Sequence, residues 1–95
     1  MRVQFEFYGT LRDAVGERQF AREVPDDATV TAALRAVATD HESLAPLVFD
    51  GEGRLRPHVN VLVNGESVRA RAGGATPLAA DDTVGAAPAV AGGCA

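Results

Sequence analysis

The stretch Val59-Asn60-Val61-Leu62-Val63, followed at once by Asn64-Gly65, constrains this chain more than any other. Valines at 59, 61 and 63 alternate with Asn60 and Leu62, the period of two that marks a β-strand. Leu62 on the alternate face leads us to expect cover on both faces of that strand. Asn64-Gly65 is the dipeptide of a type I′ turn, because both residues tolerate positive φ. A short strand at 67–71 is expected to follow the turn.

The rest of the chain arranges itself around that strand. Residues 2–8 also alternate, with Val3, Phe5 and Phe7 on one face and Arg2, Gln4, Glu6 and Tyr8 on the other. Gly9 breaks the pattern, Thr10 is placed to cap a short helix over 11–15, and Gly16 to end it. Residues 18–24 alternate again and pair most simply with the first strand as a wide hairpin. Pro25-Asp26-Asp27 has turn chemistry. Thr29 then reads as a helix N-cap, because Val30, Ala33, Leu34, Val37 and Ala38 form one apolar stripe at helical spacing. That helix should end near 39–43. Leu44, Leu47, Val48 and Phe49 form a second apolar cluster, expected to be a short turn or 3₁₀ segment that lids the core. Asp50-Gly51-Glu52-Gly53 is a polar loop, 73–77 is irregular, and Asp81-Asp82 turns the chain. A last strand at 83–87 has weak propensity, since Gly85, Ala86 and Ala87 are poor strand formers. Strands gathered around one main helix indicate an α+β fold. The expectation is a β-grasp sheet of four to five strands with the helix packed on one face, over residues 1–87, and a flexible tail over 88–95.

Composition removes several function classes. The chain has 95 residues, enough for one domain and one modest core. Its formal net charge is −4, which disfavours nucleic acid as a partner. One cysteine excludes an internal disulfide. No apolar run approaches the ~18 residues of a membrane span, and the first residues form an alternating strand, not a signal peptide, so a cytoplasmic location is expected. His41 and His58 have no cysteine or carboxylate at ligand spacing, so no metal site is expected. His41 near a helix end reads as a dipole partner, and His58 as a structural or surface residue. Gly73-Gly74 is not a phosphate loop, because no lysine follows it. No Ser/His/Asp grouping stands out, so catalytic residues and bound cofactors are not expected.

The tail holds the remaining signal. Pro88-Ala89-Val90-Ala91-Gly92-Gly93-Cys94-Ala95 carries no charge and no bulky side chain except Val90. Pro88 and the glycine pair disfavour a helix. An extended end without side chains can thread a channel too narrow for any Cβ. The Gly93 carboxyl would be its reactive point once Cys94 and Ala95 are removed. All basic residues are arginine, so no side-chain amine of this chain can accept an acyl group.

Across these residues the chain resembles the MoaD/ThiS/CysO family of ubiquitin-like sulfur carriers. The resemblance is carried by Val59-Asn60-Val61-Leu62-Val63-Asn64-Gly65-Glu66-Ser67-Val68-Arg69, by Gly73-Gly74-Ala75-Thr76-Pro77-Leu78, by Asp81-Asp82-Thr83-Val84 and by Pro88-Ala89-Val90-Ala91-Gly92-Gly93. Leu11-Arg12-Asp13-Ala14-Val15-Gly16 and Asp27-Ala28-Thr29-Val30 fit less specifically. The ending is nearest the CysO branch. The resemblance implies a carrier with no catalytic groups of its own. An ATP-using enzyme of the ubiquitin-activating (MoeB/ThiF) type would adenylate the C-terminal glycine carboxylate. The acyl-adenylate would then receive sulfur, and a sulfur-accepting synthase would use the thiocarboxylate. In other relatives the same atom is joined to protein lysines, so a protein modifier is the alternative. Two departures stand out. Cys94-Ala95 extends past Gly92-Gly93, which implies trimming by a JAMM-type zinc peptidase. Ala86 and Ala87 stand where MoaD proteins carry large apolar residues, which weakens the molybdopterin-synthase role. A thiol role for Cys94 and a plain binding module with a spent tail are the further readings.

Overall fold

The computed structural model describes residues 1–88. Among them, β1 (Arg2–Phe7), α1 (Gly9–Val15), β2 (Gln19–Glu23), α2 (Val30–Asp40), α3 (Ala45–Val48), β3 (Val59–Val63), β4 (Glu66–Ser67) and β5 (Thr83–Pro88) follow in chain order. Two 3₁₀ turns, Val68–Ala70 and Gly73–Ala75, lie between β4 and β5. The five strands form one mixed sheet in the order β2-β1-β5-β3-β4. β1 and β2 are antiparallel with Phe5 opposite Phe20, so the wide hairpin is present. β5, the last strand, lies in the middle, parallel to β1 and antiparallel to β3. This is the α+β, β-grasp arrangement that the sequence indicates.

α2 covers one face of the sheet. Its stripe Val30, Ala33, Leu34, Val37 and Ala38 is buried, as the spacing requires. The Thr29 side chain accepts a hydrogen bond from the Ala32 amide at 3.2 Å and so caps the helix. Val3, Phe5, Phe7, Val61, Val63, Val84 and Ala86 meet this stripe from the strands, and Leu44 and Val48 close the side. Phe5, Phe7 and Phe20 stack with ring centroids 5.6 to 6.0 Å apart.

The segment before β5 is stitched to the start of α2. The Val30 amide donates to the Thr76 carbonyl at 2.9 Å, and the Leu78 amide to the Ala28 carbonyl at 3.1 Å. At the β3–β4 turn, Asn64 and Gly65 have φ of 51° and 86°, the pair of positive angles that type I′ needs.

Four local expectations are corrected. The strand expected at 67–71 stops at Ser67. The Ser67 hydroxyl accepts from the Arg69 amide, and Val68 turns into the core, so the backbone leaves the ladder for a 3₁₀ turn. Thr10 does not cap α1, which starts at Gly9 with Tyr8 as its N-cap and no side-chain cap. The segment read as irregular includes the ordered turn Gly73–Ala75. Leu62 is 38% exposed, so the second face of β3 is open.

Candidate functional site

The residues singled out for activation and trimming, Gly92, Gly93, Cys94 and Ala95, lie outside the described residues. What the structure places is their root, the end of β5 at Pro88.

That end is shut off on both sides. Toward β1, the Tyr8 amide donates to the Ala86 carbonyl at 3.1 Å, the last bond of this kind on that side among the described residues. The next bond in a parallel ladder would run from residue 88 back to the Tyr8 carbonyl. Pro88 has no N–H to give. The Tyr8 carbonyl is already engaged, accepting from the amides of Leu11 at 3.2 Å and Arg12 at 3.3 Å as α1 begins. Toward β3, pairing begins at Val59 opposite Pro88. The Val59 amide bonds the Arg56 carbonyl at 3.1 Å, so the chain before it is a turn and not more strand. Pro88 therefore has no further backbone bond to make toward β1.

Gly9 completes this exit. It has φ of +59°, which lets the chain swing from β1 into α1. A Cβ at Gly9 would lie 3.1 Å from Pro88 Cγ and 3.3 Å from Cδ, so the proline ring rests on the bare backbone of Gly9. From the sequence alone Gly9 reads only as a strand breaker. Its contact with a residue far along the chain carries no local signal.

The open face of the sheet lies beside the exit. Strand register puts Glu6, Gln19, Gly85, Leu62 and Ser67 in one row across it, with Tyr8, Ala87 and Asn60 nearer the exit. Tyr8, 42% exposed, donates its hydroxyl to Glu6 at 3.1 Å, and Gln19 donates to the other oxygen of Glu6 at 2.8 Å. The hydrogen bond to Glu6 holds the Tyr8 phenol above its ordinary pKa. Tyr8 is thus a neutral, oriented amphipathic group at the base of the tail. Ala86 faces the core and Ala87 is half-buried, so no large apolar side chain of β5 stands next to the exit.

The other candidate groups lie elsewhere. His41 ends α2, its amide donating to the Val37 carbonyl at 3.0 Å and its ring tilted against Phe20. His58 is exposed just before β3. Among the described residues no three His, Cys, Asp or Glu side chains gather at metal-binding distance, and no helix is long and apolar enough to cross a membrane. Asp26 pairs with the Met1 amine at 2.8 Å, and Asp82 accepts from the Asn64 side chain at 3.0 Å, so both aspartate pairs serve turns.

The chemical reading of this geometry is a rigid body that presents one chain end. Known proteins bear the same pattern. Small archaeal modifier protein 3 of Haloferax volcanii is 40% identical over 93 residues, covering 98% of this chain and all of that protein. The crystal structure of SAMP1 from Haloferax volcanii superposes with a TM-score of 0.85 at 34% identity, covering 98% of this chain and 100% of the other. A chain in the crystal structure of the Amycolatopsis orientalis BexX/CysO complex matches with a TM-score of 0.78 at 31% identity, over 96% of this chain and 99% of its own length. A second curated relative, small archaeal modifier protein 1 of the same organism, is 38% identical over 91 residues, covering 96% of this chain and all of that protein. The ThiS family model matches residues 5–93, and with these relatives it shows that the chain belongs to the ThiS family of ubiquitin-like carrier and modifier proteins.

Proposed function

We propose that this protein is a sulfur carrier that acts through the carboxyl group of Gly93, exposed by removal of Cys94 and Ala95. The observation that carries the reading is the exit at Pro88: the central strand of an otherwise inert body leads directly into the Gly92-Gly93 end. Gly93 is the fifth residue after Pro88, a reach of at most about 18 Å when extended. Such a handle suits delivery of a carboxyl into a partner's buried site.

The chemistry belongs to the partner. A Gly93 carboxylate oxygen attacks the α-phosphorus of ATP, and pyrophosphate leaves. A hydrosulfide equivalent then attacks the acyl carbon of the adenylate, and AMP leaves as the C–O bond breaks. The product is a thiocarboxylate, a sulfur donor for a downstream synthase. A carboxylate needs this activation because its own oxygen is a poor leaving group. ATP is the activating enzyme's substrate, and the carrier binds no cofactor in this scheme. The activating enzyme is of the MoeB/ThiF type, and a JAMM-type zinc peptidase performs the trimming.

A second reading is favoured by the curated relatives, which are named small archaeal modifier proteins. In it a lysine amine of a target protein attacks the acyl carbon of the same adenylate, AMP leaves, and an isopeptide forms. One experiment separates the two. The chain ending at Gly93 is incubated with an activating enzyme, ATP and a sulfide source, then analysed by intact mass. A gain of about 16 Da, oxygen replaced by sulfur at the acyl carbon, supports sulfur carriage. Lysine conjugates without the thiocarboxylate support modification. The chain ending at Ala95 should give neither; equal activation of that form refutes the trimming step.

A further inference from the structure

We propose that Gly9 is a positioning residue for the tail: its bare backbone seats the Pro88 ring, and that seat sets the direction in which the acyl-donor end leaves the body. The inference rests on the proposed acyl activation at Gly93 and deepens it by naming what aims that group.

Three observations converge on the seat. Pro88 is the last described residue of the sheet, paired with Val59 on one side and offering no amide to β1 on the other. Its ring is held from below by Gly9, where a Cβ would stand 3.1 Å from Cγ. Gly9 is itself fixed by its neighbours, because the Tyr8 amide is bonded to Ala86 and the Tyr8 carbonyl to the first turn of α1. The ring therefore has one orientation. Proline fixes its own φ near about −65°, which removes one of the two torsions that orient the next peptide. Adding a Cβ at Gly9 requires the ring to give by a few tenths of an ångström.

The fold contains its own control. Gly16, at the other end of α1, has φ of +89°, and a Cβ added there would meet nothing within 4 Å. Gly9→Ala and Gly16→Ala thus each put a side chain on a backbone of positive φ at one end of the same helix. Only the first disturbs the tail root.

The test uses the chain processed to Gly93 and ATP–pyrophosphate exchange by an activating enzyme, with carrier concentration varied. Docking uses the body, so KM for the carrier should stay near the parent value in both variants. Gly9→Ala should lower kcat about tenfold, since misplacing a reacting group by up to 1 Å costs on the order of 10–100-fold. Gly16→Ala should leave kcat within about twofold, although its melting temperature falls too. Gly9→Asn, which tolerates positive φ but carries a Cβ, should behave as Gly9→Ala does and covers the case in which the alanine variant is poorly folded. Added to Pro88→Ala, which removes the ring atoms that the Cβ would strike, Gly9→Ala should have no further effect. Equal kcat losses in Gly9→Ala and Gly16→Ala, or full kcat in Gly9→Asn, overturn the inference. A parent chain that supports no exchange at all refutes the acyl-activation reading, and the inference falls with it. A parent that is active beside an unchanged Gly9→Ala sinks the inference alone.

Discussion

Gly74→Ala tests how the segment before β5 is seated on α2. Gly74 lies in the 3₁₀ turn Gly73–Ala75 against the first turn of that helix. A Cβ there would come under 3.0 Å from Thr31 Oγ1, with Leu55 Cδ1 at 3.3 Å on the other side. The two effects of the substitution oppose each other. Gly74 does not have positive φ, so alanine is compatible with its backbone and gains roughly 0.4–1 kcal/mol by restricting the unfolded chain. Overpacking a filled site costs roughly 1–3 kcal/mol. Thr31 is β-branched within a helix, so its hydroxyl has few rotamers to escape into, and Leu55 blocks a shift of the turn the other way. Overpacking should win, leaving a net loss of about 1–2 kcal/mol.

For a chain of 95 residues, each kcal/mol moves the melting temperature by about 4–8 °C, so a drop of roughly 5–15 °C is expected. Thermal and urea unfolding of the parent, Gly74→Ala, Thr31→Ala and the double variant give the coupling directly. Thr31→Ala removes the struck atom, so in that background Gly74→Ala should be neutral or mildly stabilising. If the loss is the same in both backgrounds, or if Gly74→Ala stabilises the parent, the reasoning fails.

Leu34→Ala should lose about 2–5 kcal/mol, because Leu34 is fully buried under α2, whereas Leu62→Ala on the open sheet face should stay within about 1 kcal/mol. Comparable urea midpoint shifts for the two would contradict the placement of the faces. Arg22 donates to Asp40 at 2.6 Å and holds that carboxyl below its ordinary value of 3.8. A depressed folded pKa gives stability that is present above the unfolded value and fades as pH falls through the folded one, so Asp40→Asn should flatten the acid side of the melting-temperature profile below about pH 4. An unchanged acid limb would show that the pair contributes nothing.

How much of this was legible in the sequence depends on whether a feature is local. The α2 stripe and the Thr29 cap could be read because helix periodicity and capping sit within a few residues of one another. Asn64-Gly65 was legible for the same reason. Leu62 misled because apolar character does not require burial, and about half of any protein surface is apolar. The 67–71 strand failed because Ser67 offers its own hydroxyl to the Arg69 amide, a competition that propensity does not weigh. The exit was half visible. Pro88 announces the end of a strand, but its seat on Gly9 and the capture of the Tyr8 carbonyl by α1 arise only when β1 and β5 lie side by side. Gly92 and Gly93, the expected activation residues, lie outside the described residues.

The placement of β5 carries a last consequence. Gly85, Ala86 and Ala87 are weak strand formers, yet they hold the middle of the sheet. Their order therefore comes from the backbone ladders to β1 and β3 and from burial of Val84 and Ala86. A strand of equal weakness at an edge would fray, because one ladder alone would hold it. At the centre it can open only if two ladders part together, so the tail root should be among the last parts of the molecule to yield. Native-state hydrogen exchange should find the amides of Val84 and Ala86 exchanging with the global unfolding free energy, while those of the edge strands β2 and β4 exchange through cheaper local openings. Faster exchange at β5 than at β2 would mean that the base of the tail is loose, and a loose base could not aim a carboxyl into another protein's pocket.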